Sequence, residues 1–524
     1  MLEGQVVRDP GGTPVKKAEV QLIAERQEEG STSYTGTTGA DGHFKIEGIR
    51  AGRYRAFVEH TGLVEIDKKH RRSPGTALSF DPGKDISGVV LRMLAAAVIV
   101  GRVVDEDGDP MPRVDVSVLR YGYDLGERHL ETTASGSTND LGEYRIPDLL
   151  PGRYLVVASP TPAFLNLEEV PAPKPGVEPK TETALLPTFY PGTTDRSQAT
   201  FLDLRVGDEM PLNFNLAPSP VFHVRGTVAN FSAHGAHSAV LVLRPKDTNV
   251  EFAAAQVDKD GKFEIPRVGP GLYSLMAMIG DGDDAQFTRV PLEVINRDVN
   301  DVRIVSLSGS RVRGQLRIEG NRTVDFSSLW VLLRSSRRDS GATFAGGPEL
   351  VRVKNDGTFE LKTIPAGTYS VRVEGSGEIP DSFLKSVKSG GSDVTNSGLT
   401  VGGGGTYALD LLIGVGAGKL EGVATDSDDH PVADAVVVAV PTGDHRNRLD
   451  LYQKGVTDQR GTFHLSGLTP GDYALFAFES VEEGAYYDAA FLKPYEGSSE
   501  NVHLDENSKK TLQLKVIPAA EDAP

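Results

Sequence analysis

Asp41-Gly42-His43-Phe44, followed by Gly52-Arg53-Tyr54, is the first of five copies of one phrase. The others are Gly142-Glu143-Tyr144 … Gly152-Arg153-Tyr154, Gly261-Lys262-Phe263 … Gly271-Leu272-Tyr273, Gly357-Thr358-Phe359 … Gly367-Thr368-Tyr369 and Gly461-Thr462-Phe463 … Gly471-Asp472-Tyr473. In every copy the two glycines are ten residues apart, and so are the aromatic and the tyrosine. A phrase that returns at fixed internal spacing means one small unit repeated along the chain.

Each unit opens with a glycine and alternating apolar residues: Gly4-Gln5-Val6-Val7, Gly101-Arg102-Val103-Val104, Gly226-Thr227-Val228, Gly314-Gln315-Leu316 and Gly422-Val423-Ala424. Copies one, two and five continue into an acidic turn with Pro14, Pro110 or Pro431, and a second strand begins four residues on, at Ala18, Val114 and Ala435. Period-two alternation predicts strands with one buried face. Asp-Gly in copies one, three and four predicts a turn with positive φ at glycine. The aromatic then faces the core, and the tyrosine after the Pro-Gly or Ala-Gly turn buries its ring while its hydroxyl reaches backbone. Copies two and five also match near their ends: Phe189-Tyr190-Pro191-Gly192 parallels Phe491 to Gly497, and Leu212, Phe214 and Leu216 parallel Leu512, Leu514 and Val516. Two closing strands are expected in each unit.

Composition bounds the function. The 524 residues exceed one core. The 58 Gly and 32 Pro predict many turns. The net charge of −18 argues against nucleic acid, whose phosphates need a basic stripe. With no cysteine there is neither a disulfide framework nor a thiolate metal site. The most apolar run, Leu94 to Val100, is too short for a spanning helix. Met1-Leu2-Glu3-Gly4 enters the first repeat at once, so a leader peptide is expected upstream of a trimmed start.

At these residues the chain resembles the carboxypeptidase regulatory-like domain, a transthyretin-like (prealbumin-like) β-sandwich related to the collagen-adhesin B-type repeat. The resemblance rests on the Gly-x-Val-x-Asp opening, the Ala-x-Val-x-Leu strand and Asp-Gly-x-Phe … Pro-Gly-x-Tyr. It implies an all-β protein of five tandem seven-stranded, Ig-like Greek-key sandwiches. From the opening glycines the boundaries are 1–96, 97–220 with a Pro-rich insertion at 171–179, 221–309, 310–417 and 418–524. Short linkers predict a semi-rigid string, on the order of 150 Å if each ~100-residue domain spans about 30–40 Å. The resemblance also implies an exported bacterial protein: secreted, periplasmic or cell-surface. It carries no activity with it. The isopeptide cross-link of the collagen-adhesin cousins is not carried over, because no lysine lies within the opening strands.

The motifs that could carry chemistry are incomplete. His503-Leu504-Asp505-Glu506 has the His-x-x-Glu pattern of a zinc peptidase, but no third ligand can follow it. His234 and His237 lack partners at metal spacing. Asp105-Glu106-Asp107-Gly108-Asp109, Asp281-Gly282-Asp283-Asp284 and Asp426-Ser427-Asp428-Asp429 read as Asp-rich turns, with calcium at the first or third as the alternative. Gly414 to Leu420 looks like a phosphate loop without its Ser/Thr or its helix. No cofactor is expected, and no catalytic residue is assigned.

Exposed aromatics are the remaining candidates for ligand contact: Trp330, Tyr121, Tyr123, Tyr486 and Tyr487. Trp330 alternates with Leu329, Val331 and Leu333, which suits packing on a neighbouring unit as well as a sugar platform. The sequence thus points to a non-enzymatic structural, adhesion or assembly protein. The alternatives are a cell-surface carbohydrate-binding protein or an accessory region of a larger envelope protein or enzyme. Partners would be envelope proteins or polysaccharide. Self-repulsion at −18 predicts a monomer. The end strands, Gln5-Val6-Val7 and Leu512 to Val516, would otherwise permit a head-to-tail filament.

Overall fold

The computed structural model describes residues 1–25, 33–66, 75–124, 126–160, 182–229, 231, 239–246, 253–280, 286–305, 309–320, 324–335, 349–375, 379 and 381–519. The insertion at 171–179, His234, His237 and the acidic run 281–284 lie outside them. Among the described residues the chain is almost entirely β, and no helix is long and apolar enough to cross a membrane.

One strand plan recurs. The lead strands are Leu2–Asp9, Ala97–Asp105, Phe222–Val228, Ser310–Ile318 and Gly418–Thr425. Each pairs antiparallel with its aromatic strand: His43–Ile46, Glu143–Leu149, Lys262–Val268, Thr358–Ile364 and Thr462–Leu468. On its other side each pairs in parallel with a strand from the end of the unit. A second sheet is built on the tyrosine strands Gly52–Glu59, Gly152–Ser159, Gly271–Ile279, Gly367–Glu374 and Gly471–Phe478. The two sheets enclose a separate apolar cluster in each of the five places.

The register explains the repeated phrase. In all five units the opening glycine lies directly opposite the phrase aromatic: Gly4↔Phe44, Gly101↔Tyr144, Gly226↔Phe263, Gly314↔Phe359 and Gly422↔Phe463. The ring lies over the bare backbone of its partner. A Cβ on Gly314 would sit 2.1 Å from the Phe359 ring, and one on Gly422 would sit 1.8 Å from the Leu512 carbonyl oxygen. These glycines are therefore fixed by close approach, not by φ. Gly42, Gly142, Gly261, Gly357 and Gly461 are different, because each has φ between +72° and +80° and closes the turn.

The aromatics Phe44, Tyr144, Phe263, Phe359 and Phe463 are all buried, as are Tyr54, Tyr154, Tyr273, Tyr369 and Tyr473. The hydroxyls of Tyr154, Tyr273, Tyr369 and Tyr473 each donate to the carbonyl four residues earlier, at 2.8–2.9 Å. Burial pushes the Tyr273 phenol up to about 12, and moves those of Tyr144 and Tyr473 upward as well.

A buried threonine completes units one, two and five. Thr38, Thr138 and Thr457 each donate to a carbonyl in the turn after the lead strand (Val15, Met111 and Val432) at 2.7 Å. Each also accepts the amide of Ala18, Val114 or Ala435 at the start of the second strand, at 2.8–2.9 Å. The same position, four residues before the turn glycine, holds Val257 and Val353 in the two units without the proline turn. Thr457→Val keeps the shape and leaves two buried backbone groups without their partner. We expect a loss of about 1–3 kcal/mol in the fifth unit, read by amide exchange there.

Two expectations are corrected. The stretch from Phe491, expected to parallel the one from Phe189, instead belongs to a helical segment spanning Ala485–Tyr487, Ala489–Leu492 and Lys493–Ser498, and the closing strands are Glu500–Leu504 and Lys509–Ile517. Asp488 caps it by accepting the Ala490 amide at 2.8 Å, and Pro494 suits a first turn. The counterpart in unit two, Thr188–Phe189, does form a short strand. The chain is also not an extended string, because the fifth unit touches the first, second and fourth.

Candidate interaction site

The fifth unit is where side chains of several units converge. Its second strand, Val436–Pro441, is buried on both faces. The inner face fills the sandwich core. The outer face carries a second apolar layer of Val436, Val438, Val440, Phe476 and Phe478 under the helical segment, with Tyr452, Tyr486 and Leu492. Phe478 lies 5.5 Å from Tyr495 and 6.2 Å from Phe491, ring to ring. A sheet covered on both faces reads as a continuous apolar run, which is why Ala435 to Val440 shows no alternation.

The second unit reaches this layer with the hairpin formed by Asp115–Asp124 and Glu127–Ser137. Tyr123 meets Phe491 edge-on at 6.3 Å. Glycines let the two backbones approach: a Cβ on Gly484 would be 2.7 Å from the Tyr123 carbonyl, and one on Gly126 would be 2.6 Å from the Tyr487 backbone. Arg120 and Glu482 add an ion pair at 3.4 Å.

The fourth unit contributes charge. Arg448 of the fifth unit, almost fully buried, holds Asp450 of the same unit in a bidentate pair and donates to the Thr395 carbonyl of the fourth unit at 2.7 Å. Burial alone would raise the Asp450 carboxyl, but the Arg448 hydrogen bonds and charge hold it below the ordinary value. Arg372, from the fourth unit, is desolvated beside Asp450, and burial lowers its guanidinium. Lys385 bridges Glu319 of its own unit to Glu506 of the fifth at 2.8 Å, and Lys419 pairs with Asp381.

The first unit meets the opposite edge. Thr76–Phe80 is the last strand of its sheet. Ser79 donates its amide to the Gln459 side chain at 3.1 Å, and its carbonyl accepts from the same side chain at 3.1 Å. Asp434 accepts the Ala77 amide at 3.3 Å, Arg53 donates to the Val456 carbonyl at 3.3 Å, and Arg460 pairs with Asp81 at 3.0 Å. Ala77 is buried in the outer layer of the fifth unit.

The sequence candidates fall into three places. Tyr123, Tyr486 and Tyr487 come together at the seam of units two and five. Tyr486 is buried and donates to Glu483 at 2.6 Å, and Tyr487 packs 4.8 Å from Tyr452. Tyr121 stays within its own unit, 5.9 Å from Phe201 and with Arg128 4.6 Å from its ring centre. Trp330 stands apart and half-buried, with Arg352 5.0 Å above its ring. Arg352 also lines an open depression of about 540 Å³ with Ser327, Lys354, Asn355 and Asp356.

The metal-like motifs are engaged in local structure. Asp105 and Asp426 each accept two backbone amides of their own turns. Asp426, Asp428 and His430 offer ligand atoms within 4.8 Å of one another, while Lys515 donates at 2.7 Å to the Asp426 carbonyl and to the Asp429 carboxylate. His503 is hydrogen-bonded to Asp472 at 2.7 Å, and Glu506 to Lys385. Asp472 raises the His503 imidazole above 6.5, with a smaller contribution from Asp505. The protonated form is therefore stabilised, and that contribution fades as pH rises through the raised value. NMR titration should place His503 above an ordinary histidine, and Asp472→Asn should return it most of the way.

The seam residues Asp81, Asp434, Gln459 and Arg460 were not legible as candidates, since their partners lie 357–380 positions away. The threonine clamp was legible as Thr four residues before glycine in three copies.

The profile of the carboxypeptidase regulatory-like domain matches residues 1–81 and 98–162. Curated proteins give no match. Among solved structures the chain is similar to the TIE protein of Bacillus anthracis, with 10% identity over 96% of this chain and 68% of that one, at a TM-score of 0.15. It is also similar to the minor pilin GBS52 of Streptococcus agalactiae (13% identity, 42% of this chain and 97% of that one, TM-score 0.22). The major pilin BcpA of Bacillus cereus is a third (11% identity, 80% and 99%, TM-score 0.13). On the profile match, residues 1–81 and 98–162 of this chain are similar to the carboxypeptidase regulatory-like domain.

Proposed function

We propose that this chain is a non-enzymatic, exported structural protein of the cell surface, built for adhesion or assembly from five sandwich domains with boundaries at 1–96, 97–220, 221–309, 310–417 and 418–524. The observation that carries the reading is the fate of the reactive-looking side chains. His503 is taken up by its cross-strand partner Asp472 within the fifth unit, Asp426 by its own turn, and Glu506 and the strand lysine Lys419 by contacts with the fourth unit. The fifth domain acts as the hub that holds the first, second and fourth. Such a protein works through shape and surface, with envelope proteins or polysaccharide as partners and without a cofactor. A broad hydrolase screen tests it: turnover that a point substitution abolishes would overturn the reading.

A second reading, cell-surface polysaccharide binding, is favoured by Trp330 and the adjoining depression with its Arg352, Lys354 and Asn355 side chains. Half-buried aromatics beside polar groups suit sugar rings. Glycan arrays with the protein and with Trp330→Ala decide it, since binding that is absent or unchanged by the substitution removes it.

A further inference from the structure

The strand Thr76–Phe80 ends its sheet, and an end strand presents unpaired amides and carbonyls to any chain that can pair with them. Here the outward groups of Ser79 are both taken by one side-chain amide, Gln459, which supplies a donor and an acceptor as the next strand would. Asp434 takes the Ala77 amide, and Arg460 and Asp81 close the end with opposite charges. Ala77 fills the apolar layer of the fifth unit. The contact thus has an apolar centre, satisfied edge groups and a charged rim, the anatomy of a specific interface.

We propose that this seam between the first and fifth units is exchangeable, so that the fifth unit of a second copy docks on the first unit of another and the chains join head to tail. The proposal rests on the reading of the chain as an assembly protein and names its partner surface. Both halves of the contact are present in every copy and complementary to each other, so contact within one chain and contact between chains use the same atoms. Such a contact is heterologous, and it propagates unless a rotation closes it. It also replaces the end strands that the sequence offered as the alternative to a monomer. Gln5 to Val7 lie inside their sheet between two partners, so that edge is not free.

The chain's lack of cysteine makes the test direct. Asp81→Cys and Arg460→Cys are made singly and together; both positions are accessible, and the Gln459 bridge remains. A short bis-maleimide should close the double variant on itself in dilute solution. Mixing the two single variants, each on a chain of different tagged length, should give a mixed pair of twice the chain mass. Its yield should rise with concentration and with salt, which screens the repulsion between chains of charge −18. Each single variant alone is the control. As a second measurement, light scattering should show less association for Asp81→Arg or Arg460→Asp alone and recovery on mixing them. If the double variant closes while mixtures stay single-chain at every concentration, the seam serves one chain only and the proposal falls. If the double variant does not close, the seam is absent and it falls as well. Neither result touches the hydrolase screen, so the two readings fail separately.

Discussion

Gly422→Ala should destabilise the fifth unit by about 3 kcal/mol or more, at the upper end of what overpacking costs. The added Cβ would lie 1.8 Å from the Leu512 carbonyl oxygen and 2.9 Å from the Phe463 ring. The ring could turn aside, but the carbonyl belongs to the neighbouring parallel strand, so the sheet itself must spread. Gly497→Ala is the matched control: nothing lies within 4 Å of its Cβ position, and its φ is not in the left-handed region. It should change stability little. A chain of several units does not unfold in one step, so the measurement is amide exchange resolved by unit under increasing urea. Equal protection in the two variants would refute the close-approach account of the opening glycines.

Phe463→Ala should cost the same unit about 3–5 kcal/mol. Phe463 is fully buried at the centre of a cluster that includes Leu420, Leu465, Tyr473, Leu475 and Leu514. Sandwich cores of this size have few residues able to move into the space of a lost ring. Phe463→Leu keeps most of the volume and should cost much less. Because Phe463 covers Gly422, the double variant Gly422→Ala/Phe463→Ala should be less damaged than the sum of the two, although the Leu512 carbonyl still meets the new methyl. Strict additivity would show that ring and glycine do not touch.

The fold was readable because its determinants are local and repeated. The ten-residue spacing of glycine and aromatic, the strand alternation and the tyrosine position each recur five times. The structure then shows why the phrase has that form: the aromatic and the opening glycine are cross-strand partners, and the turn glycine needs positive φ. The threonine clamp shows in the sequence only as Thr four residues before the turn glycine in three copies, and its role needs the hydrogen bonds of the fold. The stretch from Phe491 to Gly497 matches that from Phe189 in sequence but not in conformation. An N-cap and a proline, not the aromatics, decide its conformation.

The sequence by itself determined the all-β class, the repeated unit and the core aromatics of each copy, since burial of alternating apolar residues depends only on neighbours in the same short stretch. It also presented His503, the acidic runs and the Gly414 to Leu420 stretch as incomplete motifs, with calcium at the first or third acidic run as the alternative. Only the tertiary structure decided that the units fold back on the fifth, and that Tyr123, Tyr486 and Tyr487 meet at one seam while Trp330 stands apart. Those contacts join surfaces hundreds of residues apart. Each surface is an ordinary mixture of Gln, Arg, Asp and Ala, whose pairing depends on how the sandwiches are oriented. That orientation is set by short links such as the single Ala96 between consecutive strands, a geometric property that no residue pattern announces.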